Sequence, residues 1–181
     1  MGDDRDLALI EDCRRGDRQA LGSLVRRYER PVYNAAYRML GSVDDAADVV
    51  QTTFLKAFEN LHRYNPQYKF FSWIYRIAVN ESINQLNRRK RLEELDERRV
   101  SKGPGPDANL DADQASEELQ AALMTLSEDH RAVIVLRHFT ESSYREIGEV
   151  LQIPEKTVKS RLFSARRAMK AQLERKGYAP K

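Results

Sequence analysis

Residues 142–173 read SSYREIGEVLQIPEKTVKSRLFSARRAMKAQL. Ser143 and Glu146 have the spacing of a capping box, which predicts the start of a short helix. Pro154 disfavours helix in the residue before it and is tolerated in the first turn of a new helix. The stretch therefore predicts two helices around a tight turn, a helix-turn-helix, with a strongly basic second helix.

The second helix has one apolar and one basic face. Its apolar residues recur at helical spacing and predict the side that packs on the core: Val158, Leu162, Ala165 and Met169. At about 100° per residue, the opposite side carries mostly basic residues: Lys156, Lys159, Ser160, Phe163, Arg167 and Lys170. A basic face of this kind is either ordinary solvated surface or a contact with nucleic acid.

The helix-turn-helix context favours DNA, because the second helix of this motif enters the major groove and reads bases near its N-terminus. Lys159 and Ser160 can hydrogen-bond to base edges, and Phe163 can contact a thymine methyl group. Four cations are placed for phosphates, which supply affinity but no sequence information: Arg161, Arg166, Arg167 and Lys170. DNA binding is therefore the preferred interpretation of the basic face.

Composition narrows the class of protein. The chain has 181 residues, of which 41% are hydrophobic and 33% charged, as is typical of a soluble, helix-rich protein. The net charge is only +3, so the basicity is local. It lies in residues 88–91 and in the C-terminal helix, and the stretch between them is acidic.

Several other classes are disfavoured. The single cysteine, Cys13, excludes an intrachain disulfide and a zinc site built from thiolates, and it fits a reducing cytoplasm. No run approaches the roughly 18 apolar residues of a membrane span, and the start MGDDRD differs from a secretory signal. The three histidines are scattered, without a nucleophile–base set or a Gly-rich phosphate loop. We therefore expect a cytoplasmic protein with no membrane insertion, no catalytic residues, no metal and no cofactor.

The N-terminal half predicts helices over residues 6–14, 17–40 and 43–61, separated at Gly16 and at Gly41-Ser42. The third helix has an apolar stripe that we expect in the core: Val43, Ala47, Val50, Phe54, Leu61 and either Ala57 or Phe58. A second stripe lies about 80 to 100° away: Asp44, Asp48, Gln51 and Leu55. This stripe is either ordinary solvent-exposed surface or, because it combines acidic groups with an exposed leucine, a contact for a partner protein.

Residues 62–69 predict a loop interrupted by Asn65-Pro66, and its aromatic, amide and basic side chains suit unstacked bases. A largely buried helix is expected over residues 70–91, in which one narrow stripe differs from the rest: Trp73, Asn80, Asn84, Asn87 and Arg91. Because asparagine is a weak helix former, the stripe indicates either contact with another molecule or a helix edge that tolerates amides.

Residues 92–116 have the composition of a flexible acidic linker and contain Gly-Pro-Gly-Pro at 103–106. Helical patterning resumes at Glu117, and Ser127 is expected to cap the helix that leads into the helix-turn-helix. The predicted fold class is all-α, with two small helical domains over residues 1–91 and 117–176 joined by this linker.

Three runs occur in order: DDAADVVQTTFLKAFENLHRY, FFSWIYRIAVNESINQLNRRKR and, after the linker, LSEDHRAVIVLRHFTESSYREIGEVLQIPEKTVKSRLFSARRAMK. Together they resemble bacterial RNA polymerase sigma factors of the extracytoplasmic-function (ECF) group, over residues 6–173. The resemblance implies a promoter-melting domain like sigma region 2 and a helix-turn-helix domain like sigma region 4. It also implies that the acidic linker threads the polymerase channel, where its carboxylates would resemble a nucleic-acid backbone.

The resemblance implies two partners, the RNA polymerase core enzyme and promoter DNA, and it raises an anti-sigma factor as a candidate third. Residues expected on the coiled coil of the largest polymerase subunit are Asp44, Asp48, Gln51 and Leu55. Those expected at the −10 element, where a flipped base is captured, are Asn65, Tyr68, Lys69, Phe71, Ser72, Trp73, Arg76, Asn80, Asn84, Asn87, Arg88 and Arg91. Those expected at the −35 element are Lys156, Thr157, Lys159, Ser160, Arg161, Phe163, Ser164, Arg166 and Arg167.

The sequence departs from the family pattern at Gly148 and Gln152, where many members carry Ala and Gly. The first helix of the motif is therefore expected to be slightly weaker, and the turn must accept a residue other than glycine. Ser164 replaces a basic residue found in some relatives. The alternative function is a stand-alone helix-turn-helix regulator, which would leave the asparagine stripe and the acidic stripe without a role.

Overall fold

The computed structural model describes residues 3–96 and 114–175, which are helical throughout apart from their connecting turns and contain no strand. The all-α prediction is therefore confirmed. In chain order the elements are α1 (Asp3–Arg14), α2 (Arg18–Leu40), α3 (Val43–Glu59), a 3₁₀ turn (Leu61–Arg63), α4 (Phe70–Asp96), α5 (Gln114–Met124), α6 (Glu128–His138), α7 (Tyr144–Leu151) and α8 (Glu155–Arg175).

Local signals set the helix boundaries. The Asp17 side chain accepts hydrogen bonds from the backbone N–H groups of Gln19 and Ala20 at the start of α2. Gly41 ends α2 in the left-handed conformation, with φ 68°, and the Ser42 side chain then caps α3. These helix boundaries were predicted from the sequence.

Helices α1 to α4 form the N-terminal domain, with α2, α3 and α4 packed against one another. The prediction for the core face of α3 was partly wrong. Val43 is 59% exposed and Ala47 is also exposed, whereas the buried positions are Ala46, Val49, Val50, Thr53, Phe54 and Ala57. The reason is that α3 lies against both α2 and α4, so two neighbours determine which arc of the helix is buried.

Helices α5 to α8 form the C-terminal domain, and the helix-turn-helix lies within it. The buried stripe of α8 is the predicted one, Val158, Leu162, Ala165 and Met169. The capping box between Ser143 and Glu146 is present, and Gln152 ends α7 in the left-handed conformation with φ 54°. A Cβ on Gly148 would lie 2.8 Å from the Ile153 carbonyl oxygen, so this glycine allows the turn to approach α7 closely.

The two domains pack directly on each other. Arg131 of α6 donates to the Met39 carbonyl of α2, and Arg38 donates to the Gln120 side chain of α5 at 3.1 Å. Elsewhere α7 lies along α4. Helix α4 continues to Asp96, beyond the helix end expected at Arg91, and the central part of the predicted linker, residues 97–113, lies outside the described residues.

Candidate nucleic-acid and partner interfaces

The outer face of α8 carries a row of exposed side chains: Lys156, Lys159, Ser160, Phe163, Ser164, Arg166 and Arg167. Thr157 and Arg161 are half-buried. Phe163 is 69% exposed, more than any other large hydrophobic side chain in the described part of the chain. Since the apolar stripe of α8 supports the domain from the other side, this face is available for a ligand.

Neighbouring helices hold this face in position. The Tyr144 ring of α7 lies under Lys159 Nζ, 5.8 Å from the ring centroid, and the Arg137 guanidinium is 5.3 Å from the same centroid. Arg161 forms an ion pair with Asp129 of α6 at 2.9 Å. Arg161 is therefore tied to its own domain and is less available for phosphates than its exposed neighbours.

The His138 side chain also contacts the recognition face. Arg166 Nε donates to His138 Nε2 at 3.4 Å. Burial lowers the pKa of His138, and the charges of Arg166 and Arg137 lower it further. At neutral pH the imidazole is therefore neutral, so it accepts this hydrogen bond instead of repelling the guanidinium.

An ordered aromatic loop, residues 64–69, joins the 3₁₀ turn to α4. The Tyr64 hydroxyl donates to the Tyr68 carbonyl at 2.6 Å, and the Asn65 side chain accepts from the Gln67 backbone N–H at 2.9 Å. The Tyr64 ring packs on the ring of Trp73, with centroids 5.5 Å apart. The loop is thereby held so that the side chains of Asn65 and Tyr68 face solvent.

The −10 residues expected on α4 fall into two groups. Asn80, Asn84, Arg88 and Arg91 are exposed, whereas Phe71, Trp73, Arg76 and Asn87 are half-buried and Ser72 is 3% exposed. Trp73 is part of the aromatic cluster with Tyr64 and Phe70, so only the asparagine end of the predicted stripe is open to solvent.

Helix α7 covers the junction between the aromatic loop and α4. Lys69 Nζ lies 2.9 Å from Glu146 Oε1, and the Ser72 hydroxyl donates to Glu149 Oε2 at 3.2 Å. Burial would raise the pKa of Glu146, but hydrogen bonds from Lys69 and Ser143 outweigh it and lower the pKa to about 2. Sequence reasoning missed these contacts, which join residues 77 positions apart.

The acidic stripe of α3 borders an apolar groove. Asp44, Asp48, Gln51 and Leu55 are all exposed, and Leu55 is 57% exposed. Gln51 and Leu55 form one wall of a groove of about 720 Å³, whose other wall comes from α2. The α2 residues in this wall were not predicted as site residues: Leu21, Val25, Arg26, Glu29, Arg30 and Tyr33. Leu21 and Val25 are half-buried, and this depends on how α2 packs against its neighbours, which the sequence pattern alone does not show.

Within residues 3–96 and 114–175 no group of three or more histidine, cysteine or acidic side chains is placed to hold a metal ion. In the same part of the chain, no helix combines the length and apolar character needed to cross a membrane. Cys13 is half-buried, and burial together with Asp17 and Asp12 raises the pKa of its thiol, so it is not an activated nucleophile.

Comparison with known families identifies both domains. Residues 24–92 match the profile of sigma-70 region 2, and residues 116–169 match that of sigma-70 region 4. The chain belongs to the sigma-70 family. The region 2 match contains the acidic stripe, the aromatic loop and α4 as far as Leu92, and the region 4 match contains α7 and α8 as far as Met169. We therefore call α1 to α4 the region 2 domain and α5 to α8 the region 4 domain.

Relatives place this sigma factor in the ECF group. It is 34% identical over 176 residues to the ECF RNA polymerase sigma factor SigW of Bacillus subtilis, covering 91% of this chain and 94% of that protein. It is 36% identical over 176 residues to the ECF RNA polymerase sigma-E factor of Escherichia coli, covering 91% and 92%. The chain is thus an ECF RNA polymerase sigma factor, a transcription initiation factor.

A solved structure shows the same helical architecture across both domains. It is the structure of CnrH in complex with the cytosolic domain of CnrY, with a TM-score of 0.72 and 27% identity. The similarity covers 94% of this chain and 97% of CnrH.

Proposed function

We propose that this sigma factor divides promoter recognition and polymerase binding among three surfaces. The observation that carries the proposal is that the three surfaces are built from different elements. The basic face belongs to α8, the asparagines to α4 beside the aromatic loop, and the groove to α2 and α3.

The outer face of α8 reads the −35 element as duplex DNA. Lys159 and Ser160 lie in the N-terminal half of the recognition helix, where side chains of this motif reach base edges. Exposed Phe163 offers an apolar contact for a thymine methyl group. Arg166 and Arg167 add phosphate contacts, so binding should weaken as the salt concentration rises.

The aromatic loop and α4 bind the −10 element as single-stranded DNA. Asn65 and Tyr68 present amide and aromatic groups from an ordered loop, which suits an unstacked base. Asn80 and Asn84 continue this polar surface along the exposed side of α4. Arg88 and Arg91 follow at the end of the stripe, where their charge suits the phosphate backbone.

The groove between α2 and α3 docks on the polymerase core, against the coiled coil of its largest subunit. An exposed leucine beside acidic and amide groups at the edge of an apolar groove has the mixed character of a protein–protein interface. The relatives named above are RNA polymerase sigma factors, which supports the same partner for this chain.

The remaining proposals concern the cellular location of the protein, its lack of catalytic activity and its regulation. We propose that the protein acts in the cytoplasm, catalyses no reaction itself, and is held by an anti-sigma factor. CnrH, whose structure this chain resembles, was solved in complex with the cytosolic domain of CnrY, which supports a protein partner for this chain as well.

The testing experiment is in vitro transcription with purified core polymerase and a library of promoter fragments. We expect discrete start sites that require both a −35-like and a −10-like element. Asn80→Ala should impair melting and −10 recognition but leave core binding unchanged, with Asn34→Ala on the exposed side of α2 as the matched control. Equal loss of melting and core binding in Asn80→Ala would contradict the assignment of this asparagine.

Leu55→Ala should weaken the association with core polymerase, because it removes an exposed apolar group beside the groove. Leu92→Ala is the matched control, since Leu92 is similarly exposed, at 59% against 57%, but lies outside the groove. If both variants bind core polymerase as tightly as the wild type, the groove is not the docking surface.

A further inference from the structure

Helix α1 is fastened to the rest of the region 2 domain by a buried carboxylate. Asp6 is 3% exposed; its side chain accepts a hydrogen bond from the Tyr28 hydroxyl of α2 at 2.5 Å and pairs with Arg27 at 3.3 Å. The Tyr28 ring packs edge-on against the Phe70 ring at the start of α4, with centroids 5.3 Å apart. Because a buried carboxylate is costly without such partners, this contact holds α1 in one place and makes it a firm support.

The C-terminal end of α1 contacts the segment that leads into the aromatic loop. Arg14 Nη2 donates to the carbonyls of Leu61 and Tyr64, each at 3.0 Å, and Arg14 Nε lies 3.4 Å from the Leu61 carbonyl oxygen. Leu61 opens the 3₁₀ turn, and Tyr64 directly follows it. One guanidinium therefore joins the two ends of this turn to α1.

The Tyr64 carbonyl determines how the aromatic loop begins. It belongs to the planar peptide group between Tyr64 and Asn65, so its bond to Arg14 orients the backbone that carries Asn65. The Asn65 carbonyl then accepts from the Tyr68 N–H at 3.1 Å, and the Asn65 side chain accepts from the Gln67 N–H at 2.9 Å. The exposed side chains of Asn65 and Tyr68 thus project from a loop whose first peptide is held by α1.

We propose that Arg14 is a positioning residue for base capture, which acts by holding the aromatic loop in the shape that receives the unstacked base of the −10 element. This inference rests on the proposed function, which assigns the loop to that element. The sequence pattern did not single out Arg14, and the region 2 match begins only at residue 24. The Arg14 side chain is exposed overall, so replacing it should disturb the loop and leave the core intact.

Hydrogen–deuterium exchange of the full chain, read by mass spectrometry, tests whether Arg14 holds the loop. Arg14→Ala should speed exchange in peptides covering residues 64–69 roughly tenfold, as expected when ordinary hydrogen bonds that keep a segment closed are lost. Arg15→Ala is the matched control, because Arg15 is the neighbouring arginine and its side chain pairs with Asp12 on α1. Equal loop exchange in the two variants would overturn the proposal.

Binding of the holoenzyme to single-stranded DNA tests base capture itself. The probe is the nontemplate strand of a promoter selected by the transcription experiment above, with each −10 base in turn replaced by an abasic site. In the wild type the affinity should fall most at the captured base, and in Arg14→Ala this loss should shrink several-fold because a misplaced loop gains less from the base. Losses at the other positions and binding to core polymerase should not change, whereas a merely structural role would weaken all binding alike. An unchanged loss at the captured base would overturn the proposal.

Asn65→Ala separates this inference from the proposed function, because it alters the loop itself. If Asn65→Ala reduces the loss at the captured base and Arg14→Ala does not, the proposed function stands and the role of Arg14 is refuted. If neither variant changes that loss, the loop does not capture the base, and both proposals fail.

Arg14→Lys distinguishes hydrogen bonding from charge. Lysine keeps the positive charge, but its ammonium ends short of the position of Arg14 Nη2 and lacks the guanidinium fork. We therefore expect Arg14→Lys to restore only part of the wild-type loss at the captured base. Full restoration would show that Arg14 acts through its charge, as a phosphate contact does, and would overturn the role assigned to its bonds with Leu61 and Tyr64.

Discussion

Replacing Arg131 tests how the structure is held together. This side chain is 5% exposed, and its guanidinium donates to four backbone carbonyls: Met39 in α2, Leu123 and Met124 at the end of α5, and Leu126 in the following turn. Two of these carbonyls, those of Leu123 and Met124, belong to the last turn of α5, where the regular helical hydrogen bonds end. The Leu123 carbonyl also accepts from the Leu126 backbone N–H at 3.1 Å. One side chain therefore caps α5 and fastens it to α2.

The stability lost on replacing Arg131 can be estimated from these four hydrogen bonds. Arg131→Met keeps much of the side-chain length and removes all four donors. At about 0.5–1.5 kcal/mol net for each hydrogen bond, the loss is about 2–6 kcal/mol. Burial lowers the pKa of the guanidinium, and the nearby Glu128 opposes this only in part, so removing the charge returns some of its desolvation cost. We therefore expect Arg131→Met to lower the free energy of unfolding by about 3 kcal/mol, which is a large fraction of the stability of a typical domain.

Urea unfolding followed by far-UV circular dichroism measures this change. Arg131→Met should lower the midpoint without altering the m-value, and Arg131→Lys should be intermediate, since three donors on one nitrogen cannot reach four carbonyls spread around a guanidinium. Arg175→Met, an exposed change at the end of α8, should stay within about 0.5 kcal/mol of the wild type. If Arg131→Met lowers the free energy of unfolding by less than about 1 kcal/mol, the four hydrogen bonds of Arg131 do not hold α5 to α2 as argued.

Three further predictions concern DNA binding and pH. Phe163→Ala should weaken binding to duplexes that carry the preferred −35 sequence several-fold while leaving non-specific binding unchanged, as measured by competition anisotropy. Arg167→Ala should weaken binding to all duplexes alike and reduce the slope of log affinity against log salt by about 1. The ion pair between Lys69 and Glu146 should persist from pH 8 to pH 5 and weaken between about pH 4.5 and 2. The reason is that folding lowers the pKa of the Glu146 carboxyl from 4.5 to about 2. Small-angle scattering should show the chain expanding over that acid range, and expansion between pH 8 and 6 would contradict this.

Features that depend on a few neighbouring residues were predictable. The caps at Asp17, Ser42 and Ser143 follow from side chains that bond to backbone groups two or three residues away. The apolar stripe of α8 was also correct, because this helix packs on its domain along one side only. The family resemblance was then confirmed by two matched regions and by close relatives.

Features that depend on how helices meet were not predictable from periodicity. Val43 has core character in the sequence yet is 59% exposed, because the neighbours of α3 bury a different arc. Ser72 is a polar residue that was expected to contact the −10 element, yet it is almost fully buried, and its hydroxyl donates to Glu149 of the other domain.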